Sequence, residues 1–317
     1  MAKYIIKRLL QSVFTILMVV SVVFLLMRML PTDYYFTEDE LIKLTDEQKE
    51  SRLEASGLLD PPLEQLGRYL SGLITKLDLG DSRRIQTGKP VTALIASKFP
   101  VSMRVSLSAL GISLALGVVL GILQARFKGG ILDNIGTAYT VLVNAVPALV
   151  LYSLILFFGA RWLGLPSLYS ARKPGPSMIL PIVCQAVGST AGYMLWMRRY
   201  MVDELNKEYI RLAKLKGLST RTVMFRHVMK NAFVPLAQYL PASILLTVGG
   251  SLLVERFFSV PGMGPLLTDA ITRYDLNVVT GVMFLYASLG IIGVFLGDIL
   301  MTLIDPRIRL NSKGASR

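Results

Sequence analysis

Few residues in this chain could do covalent chemistry. His227 is the single histidine and Cys184 the single cysteine among 317 residues. One thiol allows no internal disulfide, and no thiolate-based zinc site can be built from it. No nucleophile–base pair is visible, so acyl transfer is not indicated. No G-x-x-x-x-G-K-[ST] phosphate loop occurs; Gly88-Lys89 lacks the upstream glycine and runs into Pro90. Proton relays need carboxylates or histidines along an apolar path. Arg28 and Arg104 lie near the ends of apolar runs and can snorkel, which leaves Asp298 as the main intramembrane charge. Gln185 and Ser189 are spaced to share a helix face in the least oily run. That pair fits either interhelical hydrogen bonding or the lining of a water-filled pathway.

The elements that position these residues are apolar runs. Hydrophobic residues make up 53% of the chain and charged residues only 17%, with a mean hydropathy of +0.54. Soluble domains carry about 25% charged residues. A membrane span needs about 20 mostly apolar residues. Six runs qualify: 9–30, 101–125, 135–163, 177–197, 232–254 and 278–304. The first is too long for a signal-peptide core and lacks a small-x-small cleavage site, so it is expected to stay as a span. The expected fold is an all-α polytopic membrane protein of six transmembrane helices. Its parts are an N-terminal helix over 1–30, a polar insert over 31–100 and a five-helix core over 101–317. Thr37-x-x-Glu40 and Thr45-x-x-Gln48 read as capping boxes, so the insert is expected to be a small folded cap. Pro147, Pro181 and Pro241 interrupt spans and are candidate hinges.

The net charge of +13 suits either nucleic acid or a membrane protein with one basic face. Six spans exclude the nucleic-acid reading. With the N-terminus taken as cytoplasmic, the cytoplasmic segments carry the whole +13 and the rest balances to zero. Both termini are then cytoplasmic and the insert external. The loop 161–173, with Arg161, Arg172 and Lys173, is an exception to the pattern.

Ala109, Ser113, Gly117, Gly121 and Ala125 repeat every four residues, as do Gly188/Gly192 and Gly293/Gly297, and predict close helix packing. The segment 198–231 is the most basic, with nine Lys and Arg between 198 and 230. It reads as two short helices, with Gly217 ending the first in a left-handed position and Ser219 capping the second. A loosely amphipathic helix of this kind lies either in a groove on another protein or on anionic headgroups.

Residue identities favour the protein groove. Tyr209, Ala213, Lys216, Gly217, Leu218, His227, Asn231, Ala232 and Pro235 resemble the cytoplasmic "EAA" loop of ATP-binding-cassette importer permeases. The similarity is to the dipeptide, oligopeptide and nickel permease family. The triplet itself departs, reading Arg211-Leu212-Ala213. Lys7-Arg8-Leu9-Leu10 and Met27-Arg28-Met29-Leu30-Pro31 are similar to the family's opening span. Leu79-Gly80-Asp81-Ser82, Pro90-Val91, Ile95 and Pro100 are similar to its external segment. The run from Glu255 to Leu266, with Pro261, Gly262 and Gly264, resembles its loop after the fifth span. Asp305-Pro306-Arg307-Ile308-Arg309 resembles its C-terminal signature. Phe295-Leu296-Gly297-Asp298 departs from the family's Asn-Leu before the Asp.

The resemblance implies half of a transmembrane pathway for di- or oligopeptides, working by alternating access. Nickel or another small solute is the alternative cargo. The implied partners are a second similar permease subunit, two cytoplasmic ATPase subunits and an external substrate-binding protein, with no nucleic acid. No cofactor is expected on this chain; ATP and Mg would sit on the ATPase subunits. The implied location is a bacterial or archaeal cytoplasmic membrane. Tyr209, Ala213, Lys216, Gly217 and Leu218 would form the ATPase-coupling helix. Gln185 and Ser189 would line the pathway. Glu255, Pro261, Gly262 and Gly264 would form an external gate or mouth, or else a structural re-entrant turn. Bulk at Ala213 or Gly217 is expected to uncouple transport. A stand-alone secondary transporter is disfavoured by the missing intramembrane charges, and a lipid enzyme by the lone His227.

Overall fold

A chain this apolar satisfies its backbone polar groups inside helices, and the computed structural model is nearly all helical. It describes residues 2–36 and 38–304. The proposed cap at Thr37 and the signature at 305–309 lie outside them. Among the described residues there is no strand, only an isolated bridge between Asp81 and Pro90. The helices are α1 (Ala2–Arg28), α2 (Glu38–Lys43), α3 (Asp46–Ala55), α4 (Pro62–Lys76), α5 (Val91–Arg126), α6 (Ile131–Ala145), α7 (Ala148–Leu163), α8 (Pro174–Leu205), α9 (Glu208–Leu215), α10 (Thr220–Thr222), α11 (Met229–Val248), α12 (Leu252–Phe257), α13 (Met263–Thr272) and α14 (Leu276–Ile304). A π-helical segment, Val223–Val228, joins α10 to α11.

Among the described residues, five helical stretches are long and apolar enough to cross a membrane: Ile5–Arg28, Val91–Arg126, Pro174–Leu205, Thr220–Phe257 and Leu276–Leu300. The expected third span is a broken pair, α6 and α7, bent by 111°. Pro147 lacks an N–H and pushes Val146 out of the helical region, to φ −80° and ψ 130°. Pro100, Pro181, Pro235 and Pro241 stay inside helices, so of the three candidate hinges only Pro147 breaks its helix. The expected fifth run lies within Thr220–Phe257, but it holds two helices: α11 stops at Val248, Gly250 takes a φ of +95° and Ser251 caps α12. The second starts earlier, at Val91.

The small-residue stripe of α5 packs on α8. A Cβ on Gly117 would lie 2.7 Å from Tyr193 Cβ, and one on Gly121 2.7 Å from Met194 O. These pairings ascend together along both helices, so α5 and α8 run parallel. Gly293 packs against Ala242 and Gly297 against Gln238, so α11 and α14 run antiparallel. Gly188 and Gly192 differ from the expectation: nothing lies within 4 Å of where their Cβ would be.

The insert folds over one end of the helices. Thr45 and Gln48 form the expected capping box at the start of α3. The buried carboxylate of Asp275, just before α14, accepts Ser82 Oγ at 2.6 Å. It also accepts the backbone N–H groups of Arg83, Arg84 and Ile85 at 3.1, 2.9 and 3.0 Å. Leu79, Val91, Met263, Leu267 and Val278 form an apolar core beneath it. At the opposite end, Arg8 pairs with Asp298 at 3.2 Å, which gives the unexplained intramembrane charge a partner.

Candidate functional site

The basic end carries the most elaborate loop. Helix α9 stops as its sequence dictates: Gly217 has a φ of +79°. Gly217 N–H bonds Lys214 O at 3.0 Å and Leu218 N–H bonds Ala213 O at 3.3 Å, the paired bonds of a Schellman stop. Ser219 Oγ then accepts the Thr222 N–H. The amphipathic face is clear. Ile210 is fully buried and Ala213 is 8% exposed, packed with Met197, Met201, Val228 and Ala232. Ala213 therefore faces its own chain rather than an outside partner. Leu212, Leu215 and Leu218 are exposed instead, at 53%, 85% and 40%. Lys216 is exposed too, and no neighbour crowds Gly217.

Tyr209 donates its hydroxyl to Glu204, and Asn231 Nδ2 lies 2.7 Å from that hydroxyl. Burial first, and then the Glu204 carboxylate, push the Tyr209 phenol up to about 12. It is therefore a hydrogen-bond donor at neutral pH.

A groove of about 530 Å³ opens between α8 and α11. Ser189, Gly192, Tyr193, Trp196 and Tyr200 line it from α8, and Leu236, Tyr239, Ser243 and Thr247 from α11. Tyr193 and Ser243 hydroxyls bond across it at 2.5 Å. Its lining holds hydroxyls and aromatic faces but no formal charge. Such a wall can hydrogen-bond and stack on a polar solute without selecting its charge. Gly192 lines this groove and Gly188 an adjoining cleft, and nothing lies within 4 Å of where either Cβ would be. Gln185 and Ser189 do share a face. Both line an adjoining cleft with Tyr152 and Ser251, and Gln185 Nε2 lies 3.4 Å from Ser106 Oγ.

Glu255, Pro261, Gly262 and Gly264 come together at the insert end, but the Glu255 side chain is buried rather than facing a mouth, with 0% exposure. Glu255 Oε2 accepts the Gly264 N–H at 2.8 Å, and Met263 N–H donates to Ser102 Oγ at 2.7 Å. A side chain at Gly262 would collide with both Glu255 and Ser102. The turn is thereby clamped onto α5. Among the described residues, no cluster of His, Cys, Asp or Glu could hold a metal ion.

Comparison with known proteins gives this geometry a setting. Residues 117–310 match the family described as binding-protein-dependent transport system inner membrane component. The chain belongs to that family. It is a multi-pass membrane protein and a transport component rather than an enzyme. It is similar to the dipeptide transport system permease protein DppB of Bacillus subtilis, at 34% identity over 99% of this chain and 100% of that protein. The oligopeptide transport system permease protein OppB of Haemophilus influenzae is 32% identical, over 98% of this chain and 100% of that protein. The oligopeptide transport system permease protein AmiC of Streptococcus pneumoniae serotype 4 is 36% identical over 74% of this chain and 49% of that protein.

For this family member, sequence reasoning singled out Ser189 and missed Tyr193, Trp196 and Tyr200. A signal was present: these residues recur at three- and four-residue steps along one face of α8. The α11 wall carried the same signal, with Leu236, Tyr239, Ser243 and Thr247 at three- and four-residue steps, diluted by Pro241 and the apolar residues around them. Glu204 also went unnoticed, as one acid in a polar stretch.

Proposed function

We propose that this chain is the permease subunit of an ATP-binding-cassette importer and forms half of a pathway for di- or oligopeptides. The observation that carries the reading is the match along essentially the whole chain to relatives named dipeptide and oligopeptide permeases. The uncharged, hydroxyl- and aromatic-lined groove between α8 and α11 supports it. Peptides share backbone amides but vary in charge, and such a wall suits what they share.

The parallel run of α5 and α8 supports six crossings. Two parallel spans require the chain between them to return across, and the bent pair α6 and α7 is the stretch available. Both termini then share a side. The positive-inside rule makes the basic end, with 198–231, cytoplasmic and the insert external. There α9 is the coupling helix. Its inner face, through Ile210 and Ala213, grips α8, the π-helical segment and the start of α11. Its outer residues Leu212, Leu215, Lys216 and Leu218 dock on an ATPase subunit. The partners are a second similar permease, two ATPases that hold ATP and Mg, and an external binding protein. ATP closure of the ATPase pair moves the coupling helices together and opens the cavity outward; hydrolysis resets it.

The test is reconstitution in liposomes with those partners and labelled di- to pentapeptides. ATP-dependent uptake that requires the binding protein is expected. Peptide flux through the purified chain alone without ATP, or failure to hold any ATPase subunit, overturns the reading.

A further inference from the structure

The carboxylate of Glu204 sits in the last turn of α8, where the residue is 6% exposed. It gathers donors from three other places in the chain. Tyr209 of α9 donates its hydroxyl to Oε1. Asn231 of α11 donates Nδ2 to the same oxygen at 3.1 Å. Lys207, in the link between α8 and α9, places Nζ 2.7 Å from Oε2. The bond from Asn231 to the Tyr209 hydroxyl closes a triangle across three helices.

A buried carboxylate costs stability unless it is paired and hydrogen-bonded. Here both oxygens are engaged, and every bond runs to an element around α9. The apolar packing of Ile210 and Ala213 holds α9 against its neighbours but is non-directional. Hydrogen bonds to a charged group are directional and fix one register. The helices joined at this point are also the two walls of the groove. Tyr200 lies one turn before Glu204 on α8, and Leu236 lies little more than one turn after Asn231 on α11.

We infer that Glu204 is a positioning residue that locks α9 to α8 and α11 together, so that a displacement of α9 reaches both groove walls at once. This rests on the reading of α9 as the coupling helix. Without the junction, α9 stays attached by its apolar face but slips in register. ATP is then hydrolysed with less solute moved per cycle.

The experiment uses the full transporter in liposomes, with ATP hydrolysis and uptake of a labelled tripeptide measured on the same sample. Glu204→Ala and Tyr209→Phe are each expected to lower tripeptide moved per ATP by about tenfold, the scale of one lost hydrogen bond to a charged group. The double variant falls no further than the worse single variant, because both break one junction. Glu204→Gln, which keeps the Oε1 acceptor, recovers most of the ratio. A purely structural role lowers the amount of assembled complex and both rates together, leaving the ratio unchanged. An unchanged ratio overturns the inference. If Glu204→Ala does not assemble, Tyr209→Phe alone decides by the same ratio. If the wild-type chain neither holds ATPase subunits nor imports tripeptide, the transport reading itself fails, and this inference with it.

Discussion

Arg198 grips Asp133 with two bonds, Nε to Oδ1 at 2.5 Å and Nη2 to Oδ2 at 2.8 Å. The pair ties the last third of α8 to the first turn of α6. Asp133 also accepts the Gly129 N–H at 2.9 Å, which holds the link between α5 and α6. A planar guanidinium makes this fork and an ammonium cannot. Arg198→Lys is expected to cost about 2 kcal/mol, the scale of a hydrogen bond to a charged group. A lower melting temperature of the purified protein in mild detergent measures it; an unchanged one counts against the tether.

Glycines on the two faces of the α8 neighbourhood should respond oppositely. Gly121→Val forces a side chain into Met194 and Met197, and overpacking of this kind costs about 1–3 kcal/mol. Gly192→Ala meets open space in the groove and leaves folding unchanged. Detergent-extracted yield and melting temperature of the two variants distinguish them. Equal effects would contradict the parallel α5–α8 packing.

On α9, side-chain direction separates docking from folding. Leu215→Asp, at an 85% exposed position, is expected to weaken ATPase association by about tenfold with the permease intact, as for an apolar contact in an interface. Ala213→Leu, at a buried position, is expected instead to lower permease stability. Gly217→Asp should abolish uptake while leaving membrane insertion intact. The cause is backbone strain at φ +79° rather than a clash. Co-purification of ATPase subunits, membrane yield and peptide uptake, measured side by side, check all three.

Tyr209 also sets an alkaline limit. Its phenol rises from 10.0 to about 12 in the folded chain. A raised value favours the protonated form on folding. The stabilisation is therefore complete below pH 10, where the unfolded phenol is still protonated. It is lost as pH climbs from there to about 12. Tyr69, in the insert, is raised to about 12 by burial and adds the same trend. Tyr209→Phe should remove its own share of the alkaline fall in melting temperature and leave the neutral plateau without that fall.

Local chemistry was legible where one helix decides it. The stop at Gly217, the cap at Ser219 and the box at Thr45–Gln48 follow from residue type and short spacing. The stripe on α5 needed only helical periodicity. The bend at Pro147 was a weaker signal, because Pro181 and Pro241 look the same in sequence and stay inside their helices. Gly188 and Gly192 misled, because the spacing that marks packing glycines also marks glycines that face open space.

Composition and hydropathy mark this chain as a helical membrane protein, since solvation in lipid acts residue by residue. Which face meets what was decided only in three dimensions. Ala213 turns inward and Leu215 outward because α9 packs on Met197 and Met201 of α8. Glu204, Tyr209 and Asn231 become one junction, and Asp275 reaches Ser82, only when helices assemble. Hydrogen bonds and packing depend on positions in space, and a linear spacing specifies those only within a single helix.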